Sequence, residues 1–284
     1  MNMWKFTNEF GVSEETIKCT SNISYELVSD CDGIIFDAFV IPDNIDLDNI
    51  TRFQIIIGGL IIFDIPWDII KINNVKHIDK FFYIKISSEY FGIKFDDKLP
   101  IANKFILPLT SLKQNCYCVL RNKCNSEYEY KIMVDKIFYN KELTPLTYIT
   151  YIINEYEQYD MVGLGSGLES VHHISNCKFI EGFYIKTTVP LVNYKLTSMC
   201  DRGYDIIIEN KDKNAIAYHE NLQEISKSGY IYWFPLNKYK SSSINYFRNI
   251  KIILTPGETN GYIFMKKINE VMFQDGLCCL RYSN

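Results

Sequence analysis

The sequence predicts an all-β protein made of two β-rich halves joined by one short helix. Tyr and Phe are abundant, with 21 and 18 residues in a chain of 284, and Ile recurs in short runs. Aromatic and β-branched side chains are favoured on the pleated, half-buried surface of a strand. Short apolar or alternating runs are separated by turns, and many short strands without intervening helices indicate a sandwich or barrel.

The first half of the chain contains eight runs with the composition of strands. Asp, Asn, Gly and Pro supply the turns between them, as at Gly58 and Gly59. The predicted strands are residues 23–28, 33–41, 50–57, 60–65, 81–86, 105–109, 116–120 and 128–139.

The most apolar window of the chain is residues 55–70, IIIGGLIIFDIPWDII. Two Asp residues and a Pro interrupt it, and it is shorter than the roughly 20 apolar residues that a spanning helix requires. We interpret the window as two strands joined by a Gly-Gly turn, and we expect no membrane span.

One segment in the middle of the chain has the spacing of an amphipathic helix. Thr144 and Pro145 form a start signal, because a hydroxyl cap is followed by Pro at the first helical position. The sequence therefore predicts a helix over residues 143–156, with apolar side chains at positions 143, 146, 149, 152, 153 and 156.

The second half begins with a Gly-rich stretch, residues 162–170, that we interpret as a loop. Strand-like runs then resume to the end of the sequence. These runs are residues 179–185, 194–197, 204–208, 230–234, 244–254, 262–265 and 278–282.

Charge and cysteine content exclude some classes of protein. The net charge is −4 and the Lys residues are dispersed, so we expect no direct contact with nucleic acid, which needs clustered Lys and Arg. The nine Cys residues include no CxxC pair, and the first ten residues lack the apolar core of a signal peptide. We interpret the cysteines as reduced thiols in a cytoplasmic setting.

No metal or phosphate site is predicted. The four His are His77, His172, His173 and His219, which lack the spacing of a zinc site, and we interpret the adjacent pair as part of a loop. The Gly residues at 163, 165 and 167 resemble a phosphate loop only superficially. Position 168 is Leu, and no Gly-Lys-Ser/Thr ending follows.

No catalytic residue is predicted either. Cys177 and Cys200 are the candidate nucleophiles nearest to loops, but spacing identifies no base to activate them. Cys116, Cys118 and the pair at 278 and 279 are interpreted as packing residues. The carboxylates are scattered and neither support nor exclude a glycosidase-like pair. We therefore expect a non-enzymatic protein with no catalytic, cofactor-binding or metal-binding residue.

Several stretches, in order, resemble the major capsid proteins of nucleocytoplasmic large DNA viruses. Residues 53–67, FQIIIGGLIIFDIPW, are similar to that family's strand–IGG–strand hairpin followed by a Trp. Residues 274–284, QDGLCCLRYSN, resemble its C-terminal segment. Further similar stretches are residues 32–42, 99–109, 130–139 with the helix that follows, 180–185, 232–237 and 243–248.

The resemblance implies two eight-stranded jelly rolls, each normal to a shell, with three chains forming a pseudo-hexagonal block. On this basis residues 1–142 form the first jelly roll, 143–170 the linking helix and Gly-rich loop, and 171–284 the second jelly roll. The expected partners are two further copies of the chain and other capsid proteins. The expected location is a virion that is assembled in the host cytoplasm, where the chain can lie close to an internal viral membrane.

Other functions remain open on the sequence. Family members are usually longer, and the Arg-rich segment that usually precedes the linking helix is here residues 141–145, KELTP. From the resemblance we therefore expect a capsid subunit, a minor capsid component or an assembly scaffold. A lectin-like jelly roll that binds a ligand is an alternative of another class, and a cupin-like metal enzyme is disfavoured because the His residues are scattered.

Overall fold

The structure is a computed structural model, and it describes a defined part of the chain. These residues are 11–27, 30–72, 75–87, 90–91, 105–124, 126–138, 148–161, 169–174, 177–178, 180–188, 191, 193–200, 205–209, 216–217, 229–235, 246–255 and 261–280. By contacts they divide into two units. Unit 1 comprises Met1–Asn154 and Asn269–Asn284, and unit 2 comprises Glu155–Ile268.

Strands dominate both units, and they are numbered here in chain order. The elements up to the middle of the chain are β1 Gly11–Thr20, β2 Tyr25–Glu26, β3 Gly33–Pro42, β4 Ile50–Ile57, β5 Leu60–Pro66, α1 Trp67–Lys71, β6 Val75–Ile78, β7 Phe81–Lys85, β8 Cys116–Asn122 and β9 Glu129–Phe138. The later elements are β10 Tyr148–Asp160, β11 Ser170–Ile174, β12 Cys177–Lys178, β13 Ile180–Thr187, β14 Asn193–Cys200, β15 Asp205–Glu209, β16 Ile216–Ala217, β17 Tyr230–Pro235, β18 Tyr246–Thr255, β19 Tyr262–Gln274 and β20 Leu277–Leu280.

Unit 1 is built on two antiparallel sheets that enclose one core. Their strand orders are β1-β9-β3-β7-β6 and β2-β8-β4-β5. Phe39 of β3 lies 4.9 Å from Phe53 of β4 in an edge-to-face contact, so side chains of the two sheets meet. Trp67 at the start of α1 lies 5.3 Å from Phe39, and all three side chains are fully buried.

Unit 2 is likewise built on two sheets around one core. The orders are β10-β19-β13-β17-β16 and β11-β18-β14-β15, with β12 paired to β18. Strand β20, which belongs to unit 1, pairs with the last residues of β19. Strands β10 and β19 contribute residues to both units. The core is apolar and draws on both sheets: Met161, Ile174, Ile180, Phe183, Ile185, Tyr232, Phe234, Ile250, Ile252, Leu254, Ile263 and Met265.

The strand–Gly-Gly–strand prediction for residues 55–70 is confirmed. Strands β4 and β5 pair antiparallel, and φ is +57° at Gly58 and +84° at Gly59. Positive φ at both central residues is typical of a two-residue hairpin turn, which Gly adopts without steric cost. The helix α1, which the sequence did not predict, follows β5 directly. No helix among the residues described is long and apolar enough to cross a bilayer.

The helix predicted over residues 143–156 is wrong where the structure describes it, because residues 148–160 form strand β10. Residues 143–147, including the predicted cap, lie outside the described residues. Tyr and Ile are the most frequent residues of β10, and both are favoured in strands and are only moderate helix formers. Burial alternates at its centre, with Tyr151 and Ile153 buried and Ile152 exposed. The three- and four-residue spacing was therefore coincidental.

The strand predicted at residues 105–109 is reduced to a single bridge between Leu107 and Ile34. Pro108 has no backbone N–H to extend the ladder, and a 3-10 turn, Leu109–Ser111, follows. The limits of the two jelly rolls at residues 142 and 171 stay a prediction, since a division by contacts measures a different property.

Candidate assembly surfaces

The two His residues at 172 and 173 lie on strand β11, so their interpretation as a loop pair is wrong. The His172 ring is buried, with Nε2 3.0 Å from the Ser170 hydroxyl oxygen, while His173 is exposed. Adjacent strand residues point to opposite faces of a sheet, so the two imidazoles cannot share a ligand. His77 on β6 is exposed, and its Nε2 lies 3.2 Å from Asp43 Oδ2.

Some residues that were candidates for metal binding, phosphate binding or catalysis lie outside the described part of the chain. His219 and the Gly residues at 163, 165 and 167 lie outside the described residues, as do the side chains of Cys177 and Cys200. Within the described ranges, no group of three or more His, Cys, Asp or Glu side chains is arranged to hold a metal ion.

The interpretation of Cys116 and Cys118 as packing residues is confirmed. Both are buried on β8, and Cys278 is buried on β20. Cys279 is exposed, so the packing interpretation is wrong for this residue. Burial raises the pKa of the Cys116 thiol and of the Cys278 thiol to about 12 each. A thiol with so high a pKa carries almost no thiolate near neutral pH, so these residues are poor nucleophiles.

Three exposed apolar side chains define a first candidate surface, which we call the end patch: Leu60, Ile61 and Leu277. Their exposed fractions are 44%, 44% and 56%. Leu60 and Ile61 begin β5 after the Gly58–Gly59 turn, and Leu277 begins β20 after the Asp275–Gly276 turn. Leu60 and Ile61 are adjacent strand residues that point to opposite faces, so the end patch lies at the end of the strand and not on one face of the sheet.

Hydrogen bonds join the two turns of the end patch through the segment that precedes β8. The Gly58 N–H donates to the Asn115 carbonyl at 3.0 Å, and the Lys113 N–H donates to the Gly276 carbonyl at 2.8 Å. The Cys278 N–H donates to Gln114 Oε1 at 2.8 Å. The two turns of the end patch are therefore held together by hydrogen bonds within unit 1.

Strand β1 provides a second candidate surface. It is at the edge of its sheet and pairs with β9 in an unbroken antiparallel register from Gly11↔Phe138 to Thr20↔Glu129. Side chains from Val12 to Thr16 are exposed on both faces of the strand, whereas Ile17 and Cys19 are buried. The first half of β1 is therefore open to a partner on both faces.

Charges on the outer face of β1 lie opposite charges of the same sign on β9. Glu14 pairs with Asp135, and Lys18 pairs with Lys131. Directly opposite residues of an antiparallel pair have neighbouring Cβ atoms, and like charges there are unfavourable. On the outer face Glu14 and Asp135 therefore lie towards one end, and Lys18 and Lys131 lie towards the other, with Glu129 beyond them opposite Thr20.

The inner side of the same strand pair shows the opposite arrangement. The Lys136 ammonium contacts Glu15 and also lies 2.6 Å from Asp30 Oδ2. Hydrogen bonds to Asp30 and Glu15 raise the pKa of Lys136 above its usual range. The Glu15 carboxylate thus has an ion-pair partner within the chain, whereas no ion pair of Glu14 is found among the described residues.

Neither surface was predicted from the sequence. Strand β1 was not predicted, although Ile17 and Cys19 alternate with polar residues in GVSEETIKCT, the pattern of a half-buried strand. The end patch depends on two turns that are far apart in sequence, and their proximity has no local signal.

At the level of sequence, no protein-family profile and no curated protein matches the chain. Solved structures do match, some of them over the whole chain, and they include capsid proteins with a double jelly-roll fold. The chain has this fold, as the sequence predicted.

Particular neighbours show the extent of the likeness. VP54 of PBCV-1, in a structure fitted into a reconstruction of the virophage Sputnik, is 12% identical with a TM-score of 0.61, and the match covers 100% of this chain and 99% of VP54. A PBCV-1 capsid structure is 13% identical with a TM-score of 0.59 and the same coverage. The major capsid protein of STIV is 9% identical with a TM-score of 0.51, covering 91% of this chain and 96% of that protein.

Proposed function

We propose that this chain is a viral structural protein, a divergent capsid or capsid-like subunit that associates with itself in shell assembly. One observation carries the proposal: the fold likeness to PBCV-1 VP54 covers nearly all of both chains. A match of this extent leaves no large part of the chain for a separate catalytic domain. We accordingly propose a non-enzymatic role.

The proposed partners are two further copies of the chain, in a homotrimer, and other capsid proteins. The proposed location is the virion, with assembly in the host cytoplasm and a position that can be close to an internal viral membrane. No direct contact with nucleic acid is proposed, since the net charge is −4. A minor capsid or scaffold role within the same shell is the nearest alternative.

The end patch is the proposed contact with another subunit. A closed threefold arrangement uses a heterologous contact, in which one surface of a subunit meets a different surface of its neighbour. Leu60, Ile61 and Leu277 are more than two-fifths exposed, and such a contact would remove their apolar area from water. Stable complexes usually bury at least about 1,000 Å² in total, so contacts beyond the patch are required.

Light scattering across a concentration series tests the proposal. The native protein should reach the mass of a trimer, and a variant with Ile61→Asp and Leu277→Asp should have a lower trimer fraction with an unchanged unfolding midpoint. Ser126→Asp is the matched control, because it adds a charge at an exposed loop position outside the patch. Strictly monomeric native protein that is also missing from purified virus particles would favour a ligand-binding jelly roll instead.

A further inference from the structure

We propose that strand β1 pairs edge to edge with β1 of a second copy of this chain, antiparallel, about a twofold axis at Thr16. The inference rests on the proposed function for its role, since it gives a shell subunit a second contact distinct from the trimer contact. Its physical basis is the open edge of β1 and the charge pattern along the strand.

The edge of β1 that faces away from β9 has no strand partner among the residues that the structure describes. An edge strand presents unpaired N–H and C=O groups and is a template for pairing with another chain. Val12 and Glu14 are exposed on the outer face, so no described part of the chain covers that face of the strand. A second strand can therefore approach without displacing any described element.

Charge complementarity selects the partner. Glu14 faces Asp135 and Lys18 faces Lys131 within the chain, and no ion pair of Glu14 or Lys18 is found in the described part of the structure. The two outer-face charges of β1, Glu14 and Lys18, therefore have no opposite charge directly across the strand pair. A surface with one acidic end and one basic end is complementary to an antiparallel copy of itself, as an isologous contact requires.

One register satisfies both charges. With Thr16 on the axis, Glu14 lies opposite the partner's Lys18, and Lys18 lies opposite the partner's Glu14. A row across the two copies then runs Lys131, Lys18, the partner's Glu14, the partner's Asp135. Sliding by two residues places Glu14 opposite Thr16 or Thr20 of the partner and loses both ion pairs.

The competing explanation is that these charges protect the edge. Natural proteins often place Lys and other charges on edge strands to prevent association. If the charges protect the edge, they act by repulsion between copies. Removing or reversing one of them would then leave the protein monomeric or increase its association. The proposed pairing predicts the opposite response.

Cysteine cross-linking tests the register directly. In the proposed pair, residue 16 lies opposite its own symmetry mate at about 4.5–5.5 Å between Cα atoms, within the range that a disulfide bridges. Residue 12 is separated from its mate by eight residues along the strands, roughly 27 Å. Thr16→Cys should therefore link two copies, and Val12→Cys, on the same exposed face, should not.

The cross-linking uses the full chain with oxidised glutathione, which is reduced to two glutathione thiols for each protein disulfide formed. Because Cys124 and Cys279 are exposed, the linked residues are identified by mass spectrometry of proteolytic fragments. A 16–16 link at least about tenfold more abundant than a 12–12 link supports the register. Equal yields, or no 16–16 link at high protein concentration, overturn it.

Charge reversal tests the ion pairs. Glu14→Lys should raise the dissociation constant of the twofold contact about tenfold, because two attractive pairs become repulsive. The double variant Glu14→Lys with Lys18→Glu should restore it. In both variants the ammonium introduced at position 14 faces Asp135, which relieves a like-charge pair inside the chain, so weaker association cannot be attributed to loss of folding.

The outcomes also separate this inference from the proposed function. If Thr16→Cys forms no 16–16 link but the protein still has the mass of a trimer, only the twofold contact is overturned. If the 16–16 link forms but no trimer is found, only the proposed homotrimer is overturned. Failure of the double variant to restore association overturns the charge argument.

Discussion

The Lys71 ammonium lies 2.7 Å from Asp48 Oδ1, although the Lys71 side chain is 1% exposed. Asp68 supplies a second carboxylate oxygen at 3.2 Å, three residues earlier on α1. Burying an ammonium group costs several kcal/mol, and two carboxylates offset that cost only if the geometry is maintained. This contact fixes α1 against the 3-10 turn, Leu47–Asn49, that precedes β4.

Asp48→Asn should lower the free energy of unfolding by about 1–3 kcal/mol, because Lys71 loses the nearer of its two charged acceptors. Asp30→Asn is the matched control. Asp30 also accepts from a lysine, Lys136 at 2.6 Å, but its side chain is 62% exposed, so the loss should stay below about 1 kcal/mol. Urea unfolding of both variants measures the difference, and equal losses would contradict the interpretation.

Phe39→Ala should cost about 3–5 kcal/mol of unfolding free energy, because it leaves a cavity between the two sheets of unit 1. The Phe39 ring contacts Phe53, Trp67 and Tyr130 at centroid distances of 4.9, 5.3 and 6.5 Å. Phe138→Ala removes a side chain that is 37% exposed and should cost clearly less. Urea unfolding compares the two variants, and a similar cost for both would show that the aromatic contacts do not form the core.

Gly58→Ala should destabilise the protein by about 1 kcal/mol more than Gly59→Ala. Both positions have positive φ, so both variants share the backbone strain. An added Cβ at Gly58 would overlap the Gln114 side-chain amide, whereas Gly59 faces open space. Since Gln114 accepts from the Cys278 N–H, amide hydrogen exchange at Cys278 should accelerate in Gly58→Ala alone.

Stability should fall as the pH rises from about 9 towards 12. Burial raises the pKa of the Cys116 thiol to about 12, above the ordinary value of 9.0 that applies when the chain is unfolded. Between these values the unfolded state loses the proton and the folded state keeps it, so raising the pH favours unfolding. The same sign holds for Cys278.

Urea midpoints at pH values of about 8 and about 10.5, on either side of the unfolded thiol pKa, measure this effect, with Cys116→Ala as the control. The variant has a lower midpoint at the lower pH because of the lost packing, but its midpoint should fall less between the two pH values. An equal fall in both proteins would assign the alkaline sensitivity to other groups. Tyr130, whose pKa is also raised by burial, is then the next residue to replace.

Strand positions were largely predictable from the sequence. The predicted residues 33–41, 50–57, 60–65 and 116–120 match β3, β4, β5 and β8 to within two residues. Runs of Ile, Phe and Val favour a pleated surface wherever they occur, and Gly58–Gly59 specifies its own turn type. These signals are local, and so the sequence alone determined the all-β class and the β4–β5 hairpin.

Pairing partners and registers were decided by the tertiary structure. Nothing near Glu14 in sequence indicates that Asp135 lies opposite it, and nothing near Lys71 indicates that Asp48 will share its buried site. Residues 148–156 lie within the predicted helix but form part of β10, because pairing with β19 supplies the hydrogen bonds of a strand. Backbone propensity acts within a few residues, whereas register depends on which distant strands bury their apolar faces together.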